Sequence, residues 1–403
     1  MCTFGGILTE YPWISVDSFT QNNCQTSRVF FISHIHTDHL RGLDDETFSN
    51  YAKSNRATRI YCSEATRYFL SQLSAYKHLS QFYSVLNVDQ PFTIQNPEND
   101  NSSVTVTCFG AGHCPGSLML LFEGLYGTVL YTGDFRLYSH QSNRHRVILS
   151  KKRIDSLYID MTFFEPSIRQ LPQREQACEK LIDFIQQNQD RRFYLKTSAR
   201  VGYEYIYMSL YRHFAIPIHV STEQYHLYDC LPQVQQALTT DGQSTRLHAC
   251  WPRCSHTNPS IKIVLSVLWF TLQQQQHFQS PLIQISIDFY RLCYSLHSSY
   301  NEICTFIKQI SPTRVHPIAL PDHVTSDRFN ELLKQLGIDQ TSVKNFSSNN
   351  TEQQIKRRYH TIENTKINDD DELDFDCYKN EKQLFKRITN LHRTVTKKPK
   401  IDE

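Results

Sequence analysis

Ten consecutive residues set the tightest limit on what this chain can become. The segment Phe30-Phe31-Ile32-Ser33-His34-Ile35-His36-Thr37-Asp38-His39 carries three imidazoles and a carboxylate directly behind the apolar run Val29–Ile32. A short apolar run of this kind reads as a buried strand. A tight loop at its end lets His34 and His36 project to one side, with Asp38 and His39 facing an adjacent point. Imidazole and carboxylate donors suit zinc, and two neighbouring groups suit a two-metal site. A polar loop that is rich in histidine by chance is the bland reading. The buried strand in front of H-x-H-x-D-H weighs against it.

Two later segments supply what the first lacks. Gly112-His113-Cys114-Pro115-Gly116-Ser117 lies between two strand-like runs, and its glycines permit close backbone approach. Thr132-Gly133-Asp134-Phe135-Arg136 also sits at a strand end. Alone, His113 would be a packing histidine and Asp134 a turn residue. Their position at strand ends after the first cluster makes both candidate ligands. Asp17, in Ile14-Ser15-Val16-Asp17, reads equally as a turn residue or as a group that orients a ligand from behind.

Composition then excludes whole classes. The 403 residues are 39% hydrophobic and 12% aromatic, enough for a real core. Lys plus Arg (42) against Asp plus Glu (40) leaves +2, so nucleic acid would have to be held by a local groove and not by bulk charge. No apolar run approaches the roughly 20 residues that span a bilayer, and the opening residues do not read as a signal peptide. Twelve scattered cysteines without an export signal read as reduced thiols in a cytosolic or nuclear protein.

Along the chain, strands are expected at Val29–Ser33, Val104–Phe109, Leu118–Glu123, Thr128–Thr132 and Leu157–Asp160. A helix fits Glu64–Gln72 and another the region Tyr76–Tyr83. After Pro172 the pattern alternates: helix Gln173–Gln187, strand Phe193–Thr197, helix Tyr203–Phe214, strand Ile216–Val220. Such alternation suggests parallel sheet in a second domain. A strand near Ile283–Tyr290, a helix Asn301–Ile310 and a strand Val315–Leu320 follow. Gln273–Gln276 reads as a surface loop. Beyond about residue 340 the apolar pattern fades, and an acidic patch (369–376) precedes a basic end, as in a disordered tail.

Taken in order, H-x-H-x-D-H, G-H-C-P-G-S and T-G-D-F-R resemble the metallo-β-lactamase fold. Within it they resemble the DNA-repair nuclease branch that carries the β-CASP insertion. The resemblance covers about residues 1–325. It implies an α/β chain built as an αββα sandwich with an inserted α/β β-CASP domain. The expected division is 1–160 for the first part of the sandwich, 161–285 for the insertion, 286–338 for the segment that completes the sandwich, and 339–403 for the tail.

The resemblance also implies roles. His34, His36, His113 and Asp134 would hold one zinc. Asp38 and His39, with Asp134 bridging, would hold a second and weaker metal (zinc, magnesium or manganese), with Asp160 available to it. Asp160 in Leu157-Tyr158-Ile159-Asp160 matches the first β-CASP motif, and His297 in Ser295–Tyr300 the second. His297 would protonate the leaving 3′-oxygen or steady the phosphate. Asp38, Asp160, His297 and Asp17 form the expected catalytic group. The third motif is a histidine in RNA-processing members and a small apolar residue in DNA members. Ala319 falls there in place of the usual valine, which favours DNA, with His316 close by.

Ala111–Ser117, Tyr11-Pro12 and Gly202-Tyr203-Glu204-Tyr205 resemble the hairpin-opening members of this branch. The Gly-Lys segment of the 5′-exonuclease members is not found. Members of this kind carry a structural zinc, and His219, His248, Cys250 and Cys254 could supply it. On spacing alone, H-x-C-x3-C leaves unrelated buried thiols and imidazoles open. Arg136, Lys196 and Arg200 are candidate phosphate contacts, and Tyr203, Tyr205 and Tyr207 are candidate stacking residues, with a buried helix face the stronger reading for at least one of the three.

The implied activity is a nuclear, monomeric DNA endonuclease, with 5′-to-3′ exonuclease activity also open to it. It would open hairpins and trim overhangs in non-homologous end joining, alongside a DNA-dependent protein kinase and a DNA ligase complex. The alternatives are a 5′-to-3′ exonuclease of cross-link repair, a small-molecule metallohydrolase, and a silent end-binding scaffold.

Overall fold

A computed structural model describes residues 2–338 apart from 56–57, 138–148, 150–151, 251–253, 255–260, 268 and 271–279. Residues 1–340 form one compact unit. The expected tail, with its acidic and basic patches, and the run Gln273–Gln276 lie outside the described residues.

The amino-terminal strands β1 (Ile14–Val16), β2 (Val29–Phe31), β3 (Arg59–Cys62) and β4 (Tyr83–Val85) pair in chain order as a parallel sheet. Parallel neighbours need crossovers, and α1 (Gln21–Thr26), α2 (Glu46–Ser54) and α3 (Glu64–Gln72) supply them. Ser63 starts α3 by accepting the Thr66 N–H. The second expected helix is a 3-10 turn over Lys77–Phe82. The chain then folds antiparallel through β5 (Phe92–Asn96), β6 (Asn99–Gly110), β7 (Leu118–Gly124) and β8 (Gly127–Tyr131), and β9 (Ser156–Asp160) joins β8 in parallel.

Next comes the insertion. Helix α4 (Arg174–Gln187) leads to β10 (Phe193–Lys196), and α5 (Glu204–Phe214) to β11 (Ile218–His219). After α6 (Thr222–Leu227) and α7 (Pro232–Gln235) come β12 (Leu238–Thr239), β13 (Leu247–His248), β14 (Ile261–Leu265), β15 (Leu282–Ser286) and β16 (Phe289–Leu292). Among the described residues these strands form one sheet in the order β12-β11-β13-β10-β14-β16-β15, parallel except for the last pair. The expected single strand at Ile283–Tyr290 is therefore a hairpin. Asp288 turns it with φ +58°, a conformation that Asp tolerates better than most residues. The return segment is α8 (Tyr300–Ile310), then β17 (Arg314–Ala319) parallel to β9, then α9 (Ser326–Gln335). Helix α9 has no counterpart among the expected elements.

Three cores explain the layers. Alternate residues of β7 point to opposite faces. Leu118, Leu120 and Phe122 meet Ile14, Val16 and Phe31 between the two sheets. Met119 and Leu121 meet Phe306, Ile307, Leu332 and Leu333 of α8 and α9 on the outer face. Beyond the first sheet, Phe30 and Ile60 pack on Phe48 and Phe69, and that core runs on into the insertion through Leu181, Phe193 and Leu210. The order helix–sheet–sheet–helix is the expected αββα sandwich. Among the described residues no disulfide is formed, and no helix is long and apolar enough to cross a membrane.

Candidate metal centre

The candidate ligands stand at strand ends along one edge of the sandwich. His34 and His36 follow β2, His113 follows β6, Asp134 follows β8, Asp160 ends β9 and His297 follows β16. The two sheets are tied together at this edge. The Leu118 N–H donates to the Ser33 carbonyl at 2.9 Å. Gly133 has φ +54°, and a Cβ there would lie 2.8 Å from the Ser33 Cβ, so only glycine lets Asp134 approach the first histidine loop.

One metal-binding atom from each of His34, His36, His113 and Asp134 lies within 4.8 Å of the others. The outward nitrogens fix which atoms face inward. His36 Nε2 is 3.1 Å from the Val201 carbonyl and His113 Nδ1 is 2.9 Å from the Leu296 carbonyl. A carbonyl only accepts, so both nitrogens carry the proton. The Ser33 hydroxyl donates to Asp17 Oδ2 at 2.6 Å and so accepts from His34 Nδ1 at 3.0 Å. His34 Nε2, His36 Nδ1 and His113 Nε2 are left with lone pairs that face one another.

His36 Nδ1 and His113 Nε2 are only 2.8 Å apart. Two lone pairs at that distance repel unless a cation lies between them. His34 Nε2, His39 Nε2 and Asp134 Oδ1 are moreover buried without a hydrogen-bond partner. His39 Nε2 does approach Asp134 Oδ1 at 3.2 Å, but out of line for a hydrogen bond. Buried polar atoms without partners are costly, and a divalent ion among these donors would satisfy them. Burial holds the pKa values of His34, His36 and His113 below the ordinary histidine value, which keeps them neutral as ligation requires. For Asp134 burial acts in the opposite sense, but His39 and then His297 hold its carboxyl well below the usual range. The residues fit a zinc-type ion.

The donors expected to hold a second ion, Asp38 and His39, group less closely. Asp38 Oδ2 accepts the Cys2 N–H at 3.1 Å and lies 3.9 Å from His39 Nε2. Burial disfavours charge on His39, but Asp134 foremost raises its pKa well above the ordinary value. Asp17 lies behind this group and not in it. It has φ +57° and accepts from the Ser33 N–H (2.7 Å), the Ser33 hydroxyl, His39 Nδ1 (2.8 Å) and the Tyr131 hydroxyl (2.8 Å). Its contacts put it behind His34 and His39, in the orienting one of its two readings. Tyr131 and Ser33 belong to the same network, and nothing in their spacing marks them.

His297 Nδ1 donates to Asp160 Oδ2 at 2.8 Å, and its Nε2 faces Asp134 Oδ2 at 3.9 Å. Asp160 Oδ1 accepts from the Thr162 N–H and hydroxyl. Burial lowers the His297 pKa, but Asp160 and Asp134 outweigh it and bring it to about 8. Asp160 thus orients His297, although Asp134, Asp160 and His297 also group closely enough to hold an ion. Ala319 pairs with Asp160 across β17 and β9, while His316 stacks on Tyr158 away from the centre.

The insertion holds another His–Cys cluster. His219 and His248 are direct partners across parallel strands β11 and β13, with their Nδ1 atoms 3.1 Å apart. Cys250 Sγ lies 3.3 Å from His219 Nδ1, and Cys254 Sγ lies 3.5 and 3.6 Å from the two Nδ1 atoms. A zinc tetrahedron with Zn–N of about 2.0 Å and Zn–S of about 2.3 Å has edges of roughly 3.3 to 3.8 Å. The three sulfur–nitrogen distances fall in that range and the nitrogen pair lies just short of it; His219, His248 and Cys254 group closely enough to hold an ion, and Cys250 adjoins them through His219.

The expected DNA contacts divide. Arg136 is 0% exposed. Its guanidinium donates to the carbonyls of Ser295, Leu171 and Pro172 and reaches Glu302 at 3.5 Å. It fastens the start of the insertion to the return segment and is not a phosphate contact. Tyr203 and Tyr207 are likewise buried, so they do not stack on bases, whereas Tyr205 is half-buried. Lys196 ends β10 half-buried. Arg200 pairs with Glu223 at 2.8 Å.

The family described as DNA repair metallo-beta-lactamase matches residues 269–323. "Protein artemis" of Danio rerio is 35% identical over 365 residues, covering 83% of this chain and 56% of that protein. The chain belongs to the DNA-repair metallo-β-lactamase family. "5′ exonuclease Apollo" of Rattus norvegicus is 30% identical over 324 residues, covering 78% of this chain and 54% of that protein. The chain thus spans about half the length of the curated relatives it matches. The family described as Anti-Pycsar protein Apyc1 matches residues 16–170. A solved protein of unknown function from Enterococcus faecalis V583 superposes with TM-score 0.52 at 15% identity, over 72% of this chain and 75% of that one, which speaks to the fold alone.

Proposed function

We propose that this chain is a metal-dependent DNA nuclease that opens hairpins and trims overhangs at broken ends. The observation that carries the reading is the convergence of three imidazole lone pairs on Asp134, each imposed by an acceptor behind the ring. Family membership gives the centre its substrate class. His34, His36, His113 and Asp134 would hold a zinc ion, and Asp38 and His39 with Asp134 a second, weaker zinc, magnesium or manganese ion. Such ions supply Lewis acidity to a phosphoryl oxygen and acidify water at neutral pH.

The chain's own residues do the rest. His297, fixed through Nδ1 by Asp160, presents Nε2 towards Asp134 and would give a proton to the leaving 3′-oxygen. Asp17 holds His39 and His34 in their ligating tautomers. Lys196 and Arg200 flank the loop whose Val201 carbonyl touches His36, which supports them as phosphate contacts beside the centre. His219, His248, Cys250 and Cys254 would hold a structural zinc. We take 1–160 and 286–338 as the sandwich domain, 161–285 as the insertion and 339–403 as a tail. The resemblance supports a nuclear monomer working beside a DNA-dependent protein kinase and a DNA ligase complex.

The similarity to Apollo supports a second reading, 5′ exonuclease action. The test is cleavage of 5′-labelled hairpin, overhang and single-stranded DNA, with RNA alongside, by the wild type and Asp38→Asn. Hairpin opening without need of a 5′-phosphate, lost in the variant, supports the first reading. Strict dependence on a 5′-phosphate supports the second. Equal cutting by both proteins, or cutting of RNA alone, overturns both.

A further inference from the structure

Gly202-Tyr203-Glu204-Tyr205 is a motif that the chemistry above leaves unused. We propose that Glu204 is a positioning residue for the metal centre: it clamps the 201–202 loop, whose Val201 carbonyl orients His36. The insertion would then be part of the metal site and not only a cover over it. This rests on the metal-centre reading and deepens it.

Glu204 opens α5, where a carboxylate could lie in water at no cost. Instead it is buried, and burial pushes its pKa up. Both its oxygens accept the Gly202 N–H, at 2.8 and 3.0 Å, and Oε1 also accepts the Tyr228 hydroxyl at 2.6 Å. Gly202 has φ +116°, and a Cβ on it would lie 2.6 Å from Leu296 Cδ1. At this point the insertion touches the return segment. The residue before Gly202 gives its carbonyl to His36 Nε2. Leu296, on the other side of the contact, gives its carbonyl to His113 Nδ1. The inward nitrogens of those two histidines are the pair 2.8 Å apart.

Release of Gly202 would therefore loosen the acceptor behind one ligand and the packing beside the acceptor of another. Partners behind a ligating imidazole fix its tautomer and typically change metal affinity about 10- to 100-fold. Linkage makes the coupling reciprocal: metal binding would tighten the seating of this loop.

The test is zinc affinity of the full chain, measured by competition with a chromogenic chelator, for the wild type, Glu204→Ala, Glu204→Gln, Tyr228→Phe and His36→Ala. Glu204→Ala is expected to weaken the sandwich-domain site about 10- to 100-fold and to leave the zinc of the His219 cluster in place. Glu204→Gln, which keeps an acceptor for Gly202, should recover most of the affinity. Tyr228→Phe removes one of the two donors and should give a smaller loss of the same sign. It decides the matter if Glu204→Ala does not fold. Wild-type affinity in the folded Glu204 and Tyr228 variants, with His36→Ala impaired, overturns this proposal alone. A wild type that binds no zinc in the sandwich domain, or a His36→Ala protein with unchanged affinity, overturns the metal-centre reading and this proposal with it.

Discussion

The two histidine clusters of this chain are built on opposite plans. In the insertion, His219 and His248 face each other across paired strands, and two cysteines close the set with sulfur–nitrogen distances of 3.3–3.6 Å. Two thiols and two imidazoles would fill a tetrahedral ion and leave no position for another molecule. In the sandwich, the donors are nitrogen and oxygen, come from three strand ends, and have Asp38, His39 and His297 beside them. A set with spare donors and an adjacent proton carrier suits a reaction, and a closed thiolate set suits stability. The outward nitrogens of the sandwich ligands also end on carbonyls of two other chain segments, Val201 and Leu296. The sandwich set is therefore braced by two further chain segments, and the insertion cluster largely by its own sheet.

This contrast can be broken most easily at its strongest point. Asp134→Asn should cut DNA cleavage by about a thousandfold or more, equivalent to roughly 4 kcal/mol of barrier, as read from gel assays on hairpin DNA. Residual activity within tenfold of wild type would remove Asp134 from the centre. Cys250→Ser should act in the other currency. We expect loss of one zinc equivalent by elemental analysis and a melting temperature lower by on the order of 10 °C, while folded molecules keep their turnover. Loss of turnover without loss of stability would mean that the roles are reversed.

A smaller effect is expected at Asp17, which touches ligands but no metal. Asp17→Ala should lower kcat about 10- to 100-fold and release the tautomers of His34 and His39, visible in imidazole nitrogen chemical shifts. The smallest belongs to a histidine–carboxylate contact outside both clusters, His323 Nε2 to Glu165 at 3.1 Å. Burial pushes the Glu165 pKa up, but His323 outweighs it and leaves the value lowered from 4.5. A lowered folded-state pKa gives stability that is present above the unfolded value and is lost as pH falls through the folded one. His323→Ala should therefore cost below about 1 kcal/mol at pH above about 4.5, and the difference from wild type should fade in stronger acid, as followed by urea melts.

What the sequence makes legible follows from where the chemistry sits. His34, His36, Asp38 and His39 are contiguous, and His113 and Asp134 stand in glycine-bearing loops at strand ends, so residue type and spacing point to them. Asp160, His297 and Ala319 are found only by matching a family pattern. Arg136 is read wrongly because sequence gives charge and not burial: a guanidinium in a turn motif looks like a phosphate contact until its carbonyl partners are known. Tyr203 and Tyr207 take the buried-face reading and Tyr205 stays half-buried, a division that residue type does not show. The hairpin at 282–292 was missed because a lone Asp at its turn is a weak signal. Helix α9 was missed although Thr325 caps it and Phe329, Leu332 and Leu333 share a face. Val201 and Leu296 were invisible for a different reason, since they act through backbone carbonyls that every residue has.

Anomalous diffraction at the zinc edge from crystals of the full chain tests the central claim most directly. The account predicts a peak at about 2.0–2.2 Å from His34 Nε2, His36 Nδ1, His113 Nε2 and an Asp134 oxygen, with the 2.8 Å approach of His36 to His113 opened by the ion between them. Crystals grown with zinc that show a peak among His219, His248, Cys250 and Cys254 but none among these four residues would contradict it.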